Sequence, residues 1–344
     1  MKQSKPRAGN RKRDRRSKLD ARPPVRERAR LGVAAGLAIA ALALGFAAFR
    51  WRDDNESASE LRAEARRLLA SDRAGQAEAL LERAAALEPG HGEAWVLWLE
   101  TMRAEDRVED ANRVGMSAMN SVLGNDRLAV LRSLTVALLT QAPDDQARTV
   151  LERWVRADPQ DFQARTALLR RIAANPRGGD PDQAERIAQL RGLLVEHPDE
   201  PQIRAALVES LGDAGLVDEG ESVLSEWPEA RRDARYHRLR GRWDLDYRRD
   251  PARAVAEFRL AIEELPHDWR TRSQLSHALF DLKDKAGADR EAREAARQRV
   301  ILEPITLRRR LESDLKQLQR PESARDLAEL CRSVGLTELA EDWN

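Results

Sequence analysis

One cysteine, two tyrosines and five phenylalanines stand in a chain of 344 residues, and each scarcity removes a class of protein. The lone Cys331 excludes an intramolecular disulfide framework and any zinc site built on cysteine ligands. It lies in an apolar stretch with Leu327, Leu330 and Val334, where a small core residue is expected and a nucleophile is not. Aromatic residues are only 4% of the chain, and strand-forming residues are scarce. Alanine, leucine, arginine and glutamate dominate, which are strong helix formers, so the fold class predicted is all-α, with helix packed on helix.

Signatures of chemistry are missing too. The chain has no phosphate-binding G-x-x-x-x-G-K-[ST] loop, no H-E-x-x-H and no G-x-S-x-G. Its five histidines are dispersed: His91, His197 and His267 each stand beside a proline that ends a helix, and His267 and His277 lack a matching set of carboxylates. Acidic residues alternate with arginine, as on solvated helix faces. The sequence therefore predicts no enzyme, no cofactor and no metal.

What is present is a divided charge. Residues 1–30 hold 13 Lys+Arg against 3 Asp+Glu, a net of +10, while residues 31–344 hold 47 against 56, a net of −9. Between the basic arm and the acidic body, residues 31–49 read LGVAAGLAIAALALGFAAF without a charge. As a helix this run covers roughly 28 Å, close to the ~30 Å hydrocarbon core of a bilayer. Arg30 closes one end and Arg50, Trp51 and Arg52 the other, which predicts a transmembrane helix over 31–51. A cleaved signal peptide is the rival. Its basic region and apolar core are both long for a signal, and Arg50 and Arg52 crowd the cleavage site after Gly45-Phe46-Ala47 or Phe46-Ala47-Ala48.

The positive-inside rule then predicts a single-pass inner (plasma) membrane protein with a cytoplasmic N-terminus and its body on the periplasmic or extracytoplasmic side. The tail 1–30 carries Pro6, Pro23 and Pro24 and no aromatic residue. A disordered tail that meets anionic lipid head groups suits it better than a nucleic-acid grip. Residues 52–57 form a linker, and 58–344 form the body.

The body repeats itself. Ala77-Glu-Ala-Leu80-Leu81-Glu-Arg-Ala84-Ala-Ala-Leu87-Glu-Pro89 sets small residues at close-packing positions, large ones between them and a proline at the end. It resembles the second helix of a tetratricopeptide repeat. Counting back through that family's 34-residue unit places Leu61, Ala65 and Leu68 in the core of a first helix. A second unit from about 92 has Trp95, Leu99 and Met102, then Ala111 and Ala118. A third from about 128 has Leu131, Leu138, Ala147, Leu151 and Trp154 before Pro159. Another reads Ala254, Phe258 and Ala261 before Pro266, and looser copies lead to Pro198, Pro228 and Pro304. Pro89 to Pro159 is 70 residues and Pro198 to Pro266 is 68, near two periods in each case.

The chain thus resembles bacterial membrane-anchored tetratricopeptide repeat proteins. The resemblance implies a right-handed α-solenoid of about six or seven helix pairs, with Asn175 to Pro181 as an exposed loop and Pro321 to Trp343 as a capping pair.

The resemblance also implies a concave groove lined by positions 2, 5, 9 and 12–13 of each first helix. On a repeat beginning at 235 these are Tyr236, Leu239, Trp243, Asp246 and Tyr247; earlier repeats place Arg62, Arg66, Glu100, Arg103 and Arg132 there. Tyr236, Trp243 and Tyr247 share one helix face, as binding anchors do. The same stripe also suits a helix core, and the sequence leaves both open. The lysine- and asparagine-rich clamp that some relatives use for a C-terminal carboxylate is not visible. The function expected is a membrane-tethered scaffold for protein or peptide partners in the cell envelope. The alternatives are an accessory subunit of an envelope biogenesis enzyme, or a lipid or nucleic-acid adaptor acting through the tail.

Overall fold

Helix signals punctuate the body at short intervals, and a computed structural model describes what they build over residues 56–140 and 143–344. Seventeen α-helices and one 3-10 turn are found among the described residues, and no strand. In chain order they are α1 Ala58–Ala70, α2 Ala74–Leu87, α3 Gly92–Ala104, α4 Val108–Met119, α5 Gly124–Leu139 and α6 Asp144–Ala157. There follow α7 Phe162–Ala174, α8 Gln183–Glu196, α9 Pro201–Asp213, α10 Val217–Ser225, α11 Ala234–Asp246 and α12 Pro251–Glu264. The last are α13 Trp269–Asp281, α14 Lys285–Ile301, α15 Pro304–Lys316, α16 Pro321–Ser333 and α17 Thr337–Asp342.

Local chemistry sets the boundaries. A capping box starts α1: Ser57 Oγ accepts from the Glu60 amide at 3.3 Å, and the Ser57 amide donates to Glu60 Oε2 at 2.9 Å. Aspartates cap α7, α8, α11, α12, α13 and α14, because a short carboxylate reaches the free amides of a first turn. Pro89, Pro159, Pro198 and Pro266 lie in turns after second helices, as expected. Pro304 instead opens α15, as Pro201, Pro251 and Pro321 open their helices, since the first helical position needs no amide.

Six helix pairs close through one left-handed residue: Asp72, Asp106, Gly215, Arg249, Lys283 and Gly335. A seventh pair, α7 and α8, is joined by the loop 175–182. Alanines stand at the close approaches, and Ala65, Ala77, Ala84, Ala111, Ala118 and Ala254 are all fully buried.

The expected unit from about 128 is corrected. Leu131 and Leu138 of α5 join one core cluster with α1 to α4, whereas Leu151 and Trp154 of α6 join another with Ala74, Ala164 and Ala167. Extended backbone at Thr140 and Pro143 replaces the tight turn of the other pairs, so α5 stacks on α3 and α4 while α6 packs on α7. The free side of α5 is covered by the C-terminal helices. Leu307, Leu311, Leu327, Leu330 and Leu339 share its cluster, Trp343 Nε1 donates to Thr135 Oγ1 at 3.0 Å, and Arg127 pairs with Asp342. Residues 57–344 form one unit.

No helix among the described residues is long and apolar enough to cross a membrane. The expected placement as a single-pass membrane protein with a periplasmic body is corrected accordingly. The tail 1–30 and the apolar segment 31–51 on which it rested lie outside the described residues.

Candidate binding site on the inner face

Asp233 decides which face α11 presents. Its carboxylate accepts from the amides of Arg235 and Tyr236, so the helix begins at Ala234, one residue before the repeat start inferred from sequence. One residue of register turns an α-helix by about 100°. The second and fifth positions become Arg235 and Arg238, and the aromatic stripe rotates into the core. Tyr236, Leu239 and Trp243 are 7, 3 and 2% exposed and pack with Leu207, Leu211, Leu224 and Trp227. Tyr236 meets the Trp227 ring edge-on at 5.4 Å, and Tyr247, half-buried, donates its hydroxyl to the Gly212 carbonyl at 3.2 Å. These side chains hold α11 against α9 and α10. Asp246 is exposed beside a second cavity of about 420 Å³ that also includes His277 and Phe280.

The other expected groove residues are scattered. Arg62 is buried against Glu88 at 2.6 Å, and Arg66 pairs with Glu93 at 2.6 Å, so both tie α1 to the following turn and α3. Glu100 and Arg132 are exposed and Arg103 is half-buried. None of the ten lines the cavity described next.

Counted from the observed helix starts, the inner face of α7, α9, α11 and α13 is polar. Gln163, Gln202, Arg235 and Arg270 stand at second positions, Arg238 at a fifth, and Arg170 and Glu209 at ninths. Against this face lies the α3–α4 turn. Arg107 reaches Glu78 at 2.8 Å, Glu105 at 2.9 Å and Asp110 at 3.1 Å, and it bonds Gln163. Asp110 receives Arg235 at 2.9 Å, Glu109 receives Arg238 at 3.2 Å, and Val108 packs against Ala234, Ala261 and Leu265.

Burial opposes ionisation of Asp110, but Arg235 and Arg107 override it and hold the carboxyl far below the usual range. Burial likewise works against the charge on Arg235, and Asp110, Glu109 and Asp233 more than offset it. Glu105 is less well served. One of its oxygens has no partner, and burial raises its pKa despite Arg107.

Beyond that turn the inner face opens into a cavity of about 540 Å³, closed on its far side by α14 and α15. Leu138, Leu139, Leu265, Leu302 and Leu307 supply apolar wall. Arg170 pairs with Glu209 at 3.3 Å, and Arg238 has Asp268 at 3.6 Å. Trp269 carries two guanidinium groups over its ring, Arg270 at 4.7 Å and Arg299 at 5.5 Å from the centroid. Among the described residues neither arginine has a carboxylate within salt-bridge distance. His267 is 8% exposed, and its Nδ1 has no partner. Burial pushes its pKa down to about 4, so the ring is neutral around pH 7.

The sequence did not single out Trp269, Arg270 or Arg299, and it assigned His267 only to a turn. Counting from the Asp268 cap would have put Arg270 at a second position; the convergence of Arg299 from α14 leaves no sequence signal. Among the described residues, no cluster of three histidines, cysteines or carboxylates could hold a metal.

No curated protein matches the chain. Solved structures with some similarity include the APC/C hetero-tetramer Cut9-Hcn1, at 14% identity and TM-score 0.44, covering 83% of this chain and 54% of that one. The chain thus spans about half the length of that relative. Another is a tetratricopeptide repeat protein from Parabacteroides merdae, at 13% identity and TM-score 0.34, covering 74% of this chain and 96% of that one. The tetratricopeptide repeat family model matches residues 177–242, from the loop before α8 into α11. With its paired helices and left-handed turns, the described body is an all-α solenoid of tetratricopeptide-like helices.

Proposed function

We propose that this chain is a non-catalytic scaffold that holds a protein partner on the inner face of its solenoid. Tetratricopeptide repeats generally serve protein–protein interaction, and the family match covers α8 to α11, two of whose helices line that face. The single observation that carries the reading is the cavity of about 540 Å³, where four first helices aim polar side chains past an apolar wall. Its size falls within the roughly 300–1,000 Å³ common for binding pockets. The lining gathers no nucleophile–base pair, so the chemistry it offers is recognition.

The test is site-specific photo-crosslinking in cells of the source organism. A crosslinker replaces Pro304, an exposed residue on the rim of the cavity, or Leu260, which is exposed on α12. The proposal expects one defined adduct from position 304 and none from 260. Equal labelling from both positions, or adducts from 260 alone, would place recognition on another surface.

A further inference from the structure

The inner face already holds one ligand, and that ligand belongs to the chain itself. The first turn of α4 enters it as Val108-Glu109-Asp110, an apolar side chain followed by two acids. Val108 lies on Ala234, Ala261 and Leu265, Glu109 on Arg238, and Asp110 on Arg235. The repeats thereby display the chemistry that their first helices bind. The turn fills only part of the face. Continuing past Arg238 and Asp268, the cavity has similar components. Its carboxylates Glu109 and Asp268 serve Arg238 and Glu209 serves Arg170, while neither these nor Asp106 and Glu303 lie within salt-bridge distance of Arg270 or Arg299. Leucines line the wall, Arg270 and Arg299 share the Trp269 ring, and His267 Nδ1 is buried without a partner.

Each component narrows the occupant. Two guanidinium groups beside one indole repel each other and are relieved by a carboxylate, which accepts their planar donors in a matched fork. In a neutral imidazole one nitrogen donates and the other accepts. His267 Nδ1 is buried without a partner, and in the neutral tautomer that carries no proton there it accepts from an N–H. A peptide supplies an amide N–H, an apolar side chain and a carboxylate in one short stretch. A simple fatty acid has no N–H to give.

We infer that the cavity binds a partner's peptide segment in which an apolar residue adjoins one or two acidic ones. The apolar residue lies on the leucine wall, a carboxylate lies between Arg270 and Arg299, and a backbone amide faces His267. This rests on the scaffold reading above and names the chemistry of its partner. It also gives the partner the same recognition elements as the chain's own 108–110 segment, so the two occupy adjoining stretches of one face.

The experiment uses the folded chain and fluorescein-labelled, C-terminally amidated octapeptides in a glycine–serine frame. One peptide carries a leucine followed by two glutamates. In the second the glutamates are glutamines, and in the third the leucine is serine. Fluorescence anisotropy gives the affinities for the wild type, for Arg270→Gln/Arg299→Gln, and for Arg325→Gln on exposed α16 as a control. The inference expects the first peptide to bind at least tenfold more tightly than either other. It expects that advantage to vanish in the double variant and persist in the control. Equal binding of the glutamine peptide, an unchanged affinity in the double variant, or no binding of any peptide up to about 1 mM would overturn it. If adducts still form from position 304 in the crosslinking experiment while the peptides show no acidic preference, the scaffold reading stands and the charge rule alone fails.

Discussion

Asp110 joins the first turn of α4 to α11 across 125 residues of sequence, and removing its charge is a stringent test of the buried network. Its carboxylate meets Arg235 at 2.9 and 3.2 Å, Arg107 at 3.1 Å and Arg113 at 2.5 Å. Asp110, Arg107 and Arg235 are buried, so Asp110→Asn leaves two guanidinium groups short of a counter-charge. At an effective dielectric of about 20 and charge centres about 4 Å apart, each buried pair carries about 4 kcal/mol of gross Coulomb energy. Arg235 keeps Asp233 at 2.7 Å, and Arg107 keeps Glu78 at 2.8 Å, which offsets part of the loss. The asparagine oxygen, with two lone pairs, can still accept hydrogen bonds.

The expected net loss is about 3 kcal/mol, the lower end of what breaking a buried pair costs. Urea denaturation followed by circular dichroism measures it as a lower midpoint at unchanged slope. Because Arg235→Gln removes the other half of the pair, the double variant should lose about 2 kcal/mol less than the sum of the singles. A loss under about 1 kcal/mol for Asp110→Asn, or additivity within about 0.5 kcal/mol, would refute the network argument.

His267 has a folded pKa of about 4 against an ordinary 6.5, so between those values the unfolded chain takes a proton that the folded chain refuses. Stability contributed by the neutral ring is therefore lost as pH falls through that window, by up to about 3 kcal/mol, and the wild type minus His267→Gln difference measured by urea unfolding at pH 7 and 4.5 should show it. Trp343→Ala should cost about 3–5 kcal/mol and Trp343→Phe about 1, with hydrogen exchange accelerating in α5 and not only in α17. A Cβ at Gly220 would sit 2.4 Å from the Trp243 ring, whereas one at Gly192 meets nothing within 4 Å. Gly220→Ala should lower the unfolding midpoint by an equivalent of about 1–3 kcal/mol and Gly192→Ala raise it by about 0.5–1. The Cys331 thiol, fully buried and pushed up to about 12, should resist a thiol-reactive disulfide reagent until the chain is denatured.

Much of the solenoid was legible because its packing rules act on nearest neighbours. Leu61, Ala65, Leu99, Met102, Ala254, Phe258 and Ala261 are buried where the repeat pattern places them, and α16 with α17 forms the expected final pair. What depends on contacts between distant segments was not. Nothing in Thr140 or Pro143 says that α5 will turn its side to Trp343. Nothing in Val108-Glu109-Asp110 says that α11 and α12 will receive it. Of the expected groove residues, Arg62, Arg66, Glu100 and Arg103 keep the counted register but lie on helices that do not reach the cavity. On α11 the groove assignment failed on a single residue of register, because the Asp233 cap starts the helix at Ala234 and not at 235. With that correction the same positional rule selects Arg235 and Arg238, and at the next repeat Arg270. The cavity needs side chains from α4, α5, α7, α9, α11 and α13 to α15 together, and no local pattern encodes such a meeting.

The seating of α17 on α5 changes how such an array should come apart. A linear stack of repeats behaves as a one-dimensional chain of neighbours, in which the ends fray and the middle melts separately. Here Trp343 touches Thr135, 208 residues earlier. Forming that contact costs loop-closure entropy, which grows only slowly with the length enclosed. Once it is made, the C-terminal helices cannot fray without uncovering α5. The expectation is a single steep transition in place of a solenoid's gradual melting, and slower folding because contacts of such long separation raise the contact order.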